Sequence, residues 1–496
     1  MTVPFKQIPQ NVRTPLFFAE IDNSRANTAV TNQRALLIGP MTTGAATANI
    51  PLLSAGTGDA NTQFGANSVL ALMAAQYRRN DQFGELWCLP LADAAGAVAA
   101  TGSIAFTAAP TANGTISLYI ADQLVSVPVT QGMTTAQIAT AVAAAINLIP
   151  AMPATAAAST STVTLTADNK GLVGNDIDIR FNKQGAAGGE VLPTGLTATI
   201  TAMASGATNP TLTTALGNLL DMPFDFIACA FTDTTSMDAI KAFLNDSTGR
   251  WSWQQQVFGH AFYAYRGTWG SLTTFGTARN NQHESVMGFN DSPTPSWQWA
   301  AAVAAVTAVS VRADPGIPMQ TVALTGISAP PLQSRFNLSQ RNTLLYDGIS
   351  TFTVADDGTV AIENLITTYQ TNGFGQTDNS YLEIETMFLL AYVLRRLRTL
   401  VTSKYARVKL AADGTRFAPG SAIVTPKIIK ADQIAEYRQM EYEGYVQGSD
   451  IFAQALIVEQ NASNPNRVDV LWPGTLINQL RIFALLAQFR LSTTQT

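Results

Sequence analysis

Residues 34–40 read RALLIGP, residues 67–79 read NSVLALMAAQYRR, and residues 86–90 read LWCLP. The first and third are short, continuous apolar runs closed by proline, as expected of strands buried on both faces. The middle stretch places Val69, Leu70, Leu72, Met73 and Tyr77 on one helical face. Asn67 or Ser68 stands at its start and Arg78-Arg79 at its end, the usual polarity of helix ends. A strand, a helix and a second strand, joined by long connections, predict a parallel βαβ unit.

The same alternation resumes more than a hundred residues later. A helix near Leu212–Leu220 precedes a strand at Phe224–Phe231, and Ser236–Leu244 is helical. A strand at Val257–Tyr265, a short helix at Trp269–Phe275, a strand at Ser285–Phe289 and a helix at Trp297–Val311 follow. The strands are apolar throughout and do not alternate, so helices should cover both sheet faces. The expectation is a doubly wound α/β domain.

Residues 93–205, between the two halves, are of different character: Ala, Thr, Gly and Ser dominate and Trp is absent. Thr115–Ile120 and Leu124–Val129 alternate like hairpin strands, and Thr134–Ile149 is an Ala-rich helix. Val163–Thr166 and Ile177–Phe181 alternate again, with Asp168-Asn169-Lys170-Gly171 read as a turn between them. This pattern predicts a mostly β domain inserted into a surface loop of the first.

After prolines 315, 318, 330 and 331, a β-hairpin is expected around Asp356-Asp357-Gly358. Ser380-x-x-Glu383 then reads as a capping box opening a long helix. Met387, Leu390, Leu394, Leu397, Val401, Tyr405 and Val408 form its apolar stripe, and Asp413-Gly414 stops it. A second helix is expected from Asp432 to Gly444, then strands at Ile451–Val458 and Val468–Leu471. Pro473-Gly474 detaches a last segment, Leu476–Ser492, that fits a helix face or one side of a strand equally well. It is too apolar to stand in water, so addition to a neighbour's sheet is the favoured expectation. Residues 1–29, with Pro4, Pro9 and Pro15, have no apolar period; they read as a frayed terminus or as an arm lying on another subunit.

At 496 residues the chain is long enough for several domains, at about 100–200 residues each. Charged residues make up only 13%, against the roughly 25% usual for soluble domains. The net charge is −5. No bulk cationic field exists to hold nucleic acid or an anionic membrane, and neither is an expected partner. A weakly charged, Ala/Thr/Asn-rich surface suits a protein covered by its neighbours. The start, MTVPFKQIPQNVRTP, lacks the pattern of a signal peptide, and Trp297–Val311 is too short and too polar to span a bilayer.

The two cysteines, Cys88 and Cys229, lie in apolar runs and read as buried thiols. With only His260 and His283 beside them, and no CxxC or HxxxH spacing, no usual zinc site is encoded. Gly39-Pro40-Met41-Thr42-Thr43-Gly44 occupies the place of a dinucleotide-binding loop but is neither GxGxxG nor a P-loop, so no cofactor is expected. GxSxG is absent. His260 falls in an apolar strand, and nothing supplies a triad geometry for His283. Arg395, Arg396, Arg398, Lys404, Arg407 and Lys409 place six of the 29 basic residues on one predicted helix. They read either as cations snorkelling round a buried stripe or as a surface docking on an acidic partner.

Four segments together resemble the contractile-tail sheath proteins of Mu-like phages. They are GRWSWQQQVFGHAFYAYRGTWGSL (249–272), RNNQHESVMG (279–288), DNSYLEIETMFLLAYVLRRLR (378–398) and NRVDVLWPGTLINQLRIFALLAQFRL (466–491). The resemblance covers most of the chain outside residues 93–205, and that insertion resembles the decoration-like insertions of the family. It implies a subtilisin-like but non-catalytic α/β domain (30–92 and 206–372), an outward insertion (93–205) and an inner α+β domain near a tail tube (373–474). Residues 1–29 and 475–496 would be strand-exchange arms, with Val3, Phe5, Ile8, Arg481, Phe483, Leu485 and Phe489 as contacts. The six basic residues would then be tube-facing. The implied partners are other sheath subunits in stacked hexameric rings, the tube protein, and baseplate and terminator proteins. The implied place is the virion, after assembly in the bacterial host cytoplasm. The competing expectation, from another class, is an α/β hydrolase-like enzyme with an accessory β domain.

Overall fold

The computed structural model describes residues 33–491. A six-stranded sheet lies at its centre, in the order Glu284–Phe289, His260–Arg266, Phe226–Cys229, Ala35–Pro40, Leu86–Leu91, Leu52–Leu53. The first five strands are parallel and the short last one is antiparallel. Ala35 pairs with Phe226 on one side and Leu86 on the other, and all of Ala35–Pro40 is buried. That burial is why the strand is an unbroken apolar run. Helix Val69–Asn80, capped by the Ser68 hydroxyl accepting from the Ala71 N–H, packs on Ala35–Pro40. Helix Ser296–Ala313 packs beside it and on the two strands Phe226–Cys229 and His260–Arg266. Its alanines, buried from Ala300 to Ala305, let it approach closely.

The chain leaves this sheet at Val98 and returns at Ala207, and those two residues exchange backbone hydrogen bonds of 3.0 and 3.1 Å. Between them lie an antiparallel sheet of four strands (Thr197–Ala204, Ala99–Ala108, Thr162–Lys170, Ala154–Ser159) and another of three (Gln123–Val129, Gly114–Ile120, Ile179–Phe181). Helix Thr135–Asn147 opens with a capping box between Thr134 and Gln137. Ile104, Ile116, Leu118, Val142 and Val163 belong to an apolar core separate from that of the parallel sheet. Asp168-Asn169-Lys170 is not a turn. It ends the Thr162–Lys170 strand, where Asp93 accepts from the Lys170 N–H.

The long C-terminal helix runs from Ile384 to Tyr405. Glu383 is its N-cap, without a side-chain capping bond, so the expected Ser380–Glu383 box does not form. The Ser380 hydroxyl instead donates to Asp378. The helix stops well before Gly414, and Lys409–Leu410 is a strand paired in parallel with Ile423–Val424. Its buried face carries Met387, Phe388, Ala391, Val393 and Leu400, while Leu394 and Val401 of the expected stripe are exposed. Two cores share this one helix, which rotates the stripe. Ile384 and Phe388 join the parallel-sheet core, where the Phe388 ring lies 5.2 Å from Phe226. Val393 joins a small core with Tyr437, Met440, Val446, Phe452 and Leu456. The second helix begins at Pro426, six residues before Asp432, and ends at Tyr442. Ile451 lies in a short helix, Ser449–Ala455, and the strand starts only at Ile457. Helical winding there brings Phe452 into a stack on Tyr437, with ring centroids 3.8 Å apart.

Candidate assembly surfaces

The C-terminal segment begins inside this small core. Thr475–Leu476 pairs antiparallel with Val446–Gln447, and the Tyr437 hydroxyl donates to the Gln447 carbonyl while accepting from the Thr475 N–H. Five residues further, the Arg481 Nη2 lies 2.8 Å from Glu383 and 2.6 Å from Glu385. Glu385 is fully buried and also accepts from the Met319 N–H. Burial pushes both carboxyls above the usual range, against the pull of the Arg481 charge. Arg481, which the resemblance places among the exchange contacts, thus pairs within its own chain, where two desolvated acids need a counter-charge.

Beyond Arg481 the surroundings change at once. Ile482, Phe483, Leu485, Leu486, Phe489 and Leu491 are all exposed, Phe483 at 80% and Phe489 at 84%. Residues 477–490 adopt neither of the regular structures their periodicity allows. An exposed apolar run of this size marks a candidate interaction surface. Nearby in sequence, Ile457–Gln460 and Val468–Leu471 form an antiparallel pair that no third strand joins among the described residues. Open edges of this kind accept added strands. Val3, Phe5 and Ile8 lie outside the described residues.

The basic helix divides in two. Arg395 Nη2 donates to Asp225 across 2.6 Å, with the guanidinium also over the Phe258 ring. Asp225 is almost fully buried, which raises its pKa, while Arg395 opposes the rise. Arg396 bridges Glu436 at 2.7 Å and Glu443 at 2.6 Å, and Lys404 pairs with Asp432 at 3.0 Å. Of the six basic residues, Arg395, Arg396 and Lys404 thus pair with carboxylates of their own chain. The partners of Arg396 and Lys404 come from the second helix, Pro426–Tyr442, and its C-cap Glu443, whereas Asp225, the partner of Arg395, immediately precedes the strand Phe226–Cys229. Arg398, Arg407 and Lys409 are exposed and meet no carboxylate among the described residues.

The polar groups that a hydrolase would need are dispersed. His260 Nε2 lies 2.9 Å from the Ser285 hydroxyl, but both residues are buried in adjacent strands and His260 Nδ1 has no partner. Burial pushes His260 well below its usual pKa. The other histidine, His283, meets Asp246 at 2.8 Å and stacks on Trp251. A triad needs one imidazole that joins serine to acid, and here each half has its own histidine. Cys88 and Cys229 are free and buried, and desolvation raises both thiols, Cys229 to about 12. Among the described residues no group of three His, Cys, Asp or Glu is placed to hold a metal, and no helix is long and apolar enough to cross a membrane.

Residues 205–368 match the family model described as phage tail sheath protein central domain, and residues 376–490 match the phage tail sheath C-terminal domain. The Mu-like prophage FluMu tail sheath protein of Haemophilus influenzae is 39% identical over 492 residues, covering 99% of this chain and 100% of that protein. Among solved structures, the sheath tail protein of Desulfitobacterium hafniense aligns at 12% identity and a TM-score of 0.49, covering 94% of this chain and 97% of the other. The contracted helical sheath of the anti-feeding prophage aligns at 12% identity and a TM-score of 0.48, covering 97% and 100%.

Proposed function

The chain belongs to the phage tail sheath family, and we propose that it is the structural subunit of a contractile tail sheath, stacked as hexameric rings around a tail tube. On contraction the rings rotate and slide into a more deeply buried packing and drive the tube through the host envelope, a two-state switch of subunit contacts that needs no nucleotide. The observation that carries this reading is the 39% identity to a tail sheath protein along essentially the whole chain.

The assembly surfaces take their roles from it. The exposed run 482–491 leaves its own subunit at Arg481 and adds to a neighbour's sheet; the open pair Ile457–Gln460 and Val468–Leu471 is the receiving edge, with Val3–Ile8 of another subunit as co-strand. Residues 30–92 and 206–372 form the ring wall, 93–205 projects outward, and 373–474 faces the tube through Arg398, Arg407 and Lys409. Baseplate and terminator proteins bound the stack, which forms in the host cytoplasm and ends in the virion. Electron microscopy of the purified chain tests the reading: rings or tubes are expected. A particle that stays monomeric at high concentration and turns over a hydrolysable ester would overturn it in favour of an enzyme.

A further inference from the structure

In open α/β sheets the crevice beyond the carboxyl ends of the strands is where ligands bind, at the N-termini of the following helices. In this chain the insertion packs over that crevice and leaves a cavity of about 250 Å³ between Asp176, Asn209, Asp233, Arg266 and Ser296. Three helix N-termini lie along it, and each meets a side chain from the insertion or from the segment that returns to the parallel sheet. Asn169 accepts from the Val69 N–H at 2.9 Å, the first residue of helix Val69–Asn80, and donates to the Met41 carbonyl. Asn209 donates to Asp233, the N-cap of helix Thr234–Leu244, at 2.6 Å. Asp176 accepts from the Ser296 N–H, the first residue of the 18-residue helix Ser296–Ala313.

Asp176 is the charged member of the set. Its second oxygen pairs with Arg266, at the carboxyl end of strand His260–Arg266, and Arg266 donates onward to the Ser292 and Thr294 carbonyls. A guanidinium and a helix N-terminus converging on one carboxylate are the elements of an oxyanion site. The loop carrying Asp176 is held close to the insertion's own sheet. A β-carbon at Gly174 would come within 2.7 Å of that of Ala167. The segment that precedes helix Ser296–Ala313 is gripped by the insertion twice more: Arg180 pairs with Asp291 at 3.0 Å, and Asp122 accepts from the Thr294 hydroxyl at 3.0 Å.

We propose that this edge of the sheet is an anion site whose permanent ligand is Asp176, and that its occupation locks the insertion and the parallel-sheet unit into one rigid body. The inference does not rest on the sheath reading. It makes the insertion a built-in ligand of the α/β unit, no longer a detachable ornament.

The test uses the full chain carrying Asp176→Ala, with Asp176→Asn as the second variant, which keeps the length of the side chain but not its charge. The expected result for Asp176→Ala is a lower Tm and faster proteolysis at the neck, around residues 93–98 and 205–209. Sulfate or inorganic phosphate should raise the Tm of Asp176→Ala more than that of the unaltered chain, because the vacated site takes the ion. Asp176→Asn should fall between the two and gain less from sulfate. Neck cleavage and Tm unchanged in both variants, or a sulfate gain equal in all three proteins, would overturn the proposal.

Discussion

Arg395 and Asp225 stand 170 residues apart in sequence and meet across 2.6 Å, tying the long C-terminal helix to the mouth of a central strand. Asp225 is the buried partner, and its N–H and carbonyl are already spent on the Arg34 carbonyl and the His260 N–H. Removing Arg395 leaves a desolvated carboxylate without a counter-charge. Arg395→Ala should therefore cost about 3–5 kcal/mol in denaturant unfolding, the usual range for breaking a buried pair. Asp225→Asn in the same chain should recover much of that loss.

The pH dependence of this variant has a definite sign. Burial raises the Asp225 pKa in the folded state even with Arg395 present, and more without it. A carboxyl raised on folding binds more protons in the native than in the unfolded chain, so its contribution to stability falls as pH rises through the folded-state value. The deficit of Arg395→Ala should be largest at neutral pH and shrink on acidification towards the ordinary carboxylate range. A deficit that is flat with pH would mean that the lost ring contact with Phe258, not the charge, dominates.

The sites were legible in the sequence to very different degrees. Strands such as Ala35–Pro40 and Leu86–Leu91 announce themselves because burial on both faces demands an unbroken apolar run. Ala99–Ala108, AATGSIAFTA, and Ala154–Ser159, ATAAAS, do not, because alanine and threonine carry little signal of either period. The stripe on Ile384–Tyr405 misleads for a different reason. One helix serves two cores, so Leu394 and Val401 keep the period yet face water. Charge pairing is the least legible of all. The residues that engage Arg395, Arg396 and Lys404 come from strands and helices distant in sequence, and no local period records them.

Ser285 and His260 provide a test that separates structure from chemistry. Ser285→Ala leaves the His260 Nε2 without its 2.9 Å partner inside the sheet and should cost about 1–3 kcal/mol, the penalty for a buried unsatisfied polar group. No catalytic step should change with it. Loss of a measured hydrolase turnover in Ser285→Ala, at a temperature where the variant remains folded, would contradict this.

The free and the engaged cations should respond differently to reversal. Arg398→Glu with Arg407→Glu alters only exposed positions, so the Tm should hold while binding to a purified tail tube weakens. Raising salt should weaken the unaltered chain in the same way, since exposed charges are screened over about 8–10 Å at physiological ionic strength. Arg396→Glu, by contrast, sets like charge against Glu436 and Glu443 and should lower the Tm. Tube binding indifferent to salt and to the double reversal would remove the electrostatic contact.

Where the C-terminal segment leaves the core of its own subunit can be read from its contacts. Ending the chain at Gly474 would delete Thr475–Leu476, whose pairing with Val446–Gln447 and bond to the Tyr437 hydroxyl complete the small core. It would also leave Glu383 and Glu385 without Arg481. Loss of assembly by that truncation would say little, because the subunit itself would be damaged. A chain ending at Arg481 keeps the strand and the counter-charge and removes the exposed run Ile482–Leu491 with the residues after it. It should fold with the Tm of the full chain, or slightly above, and should be more soluble, since six large exposed apolar side chains are gone. Electron micrographs of it should show separate subunits where the full chain gives rings or tubes. Adding Arg481→Ala to the full-length chain supplies the complementary case: the run is present but its root is released, and hydrogen exchange at Thr475–Ile477 should quicken. If the chain ending at Arg481 still builds tubes indistinguishable from those of the full chain, the run beyond Arg481 is not the exchanged arm.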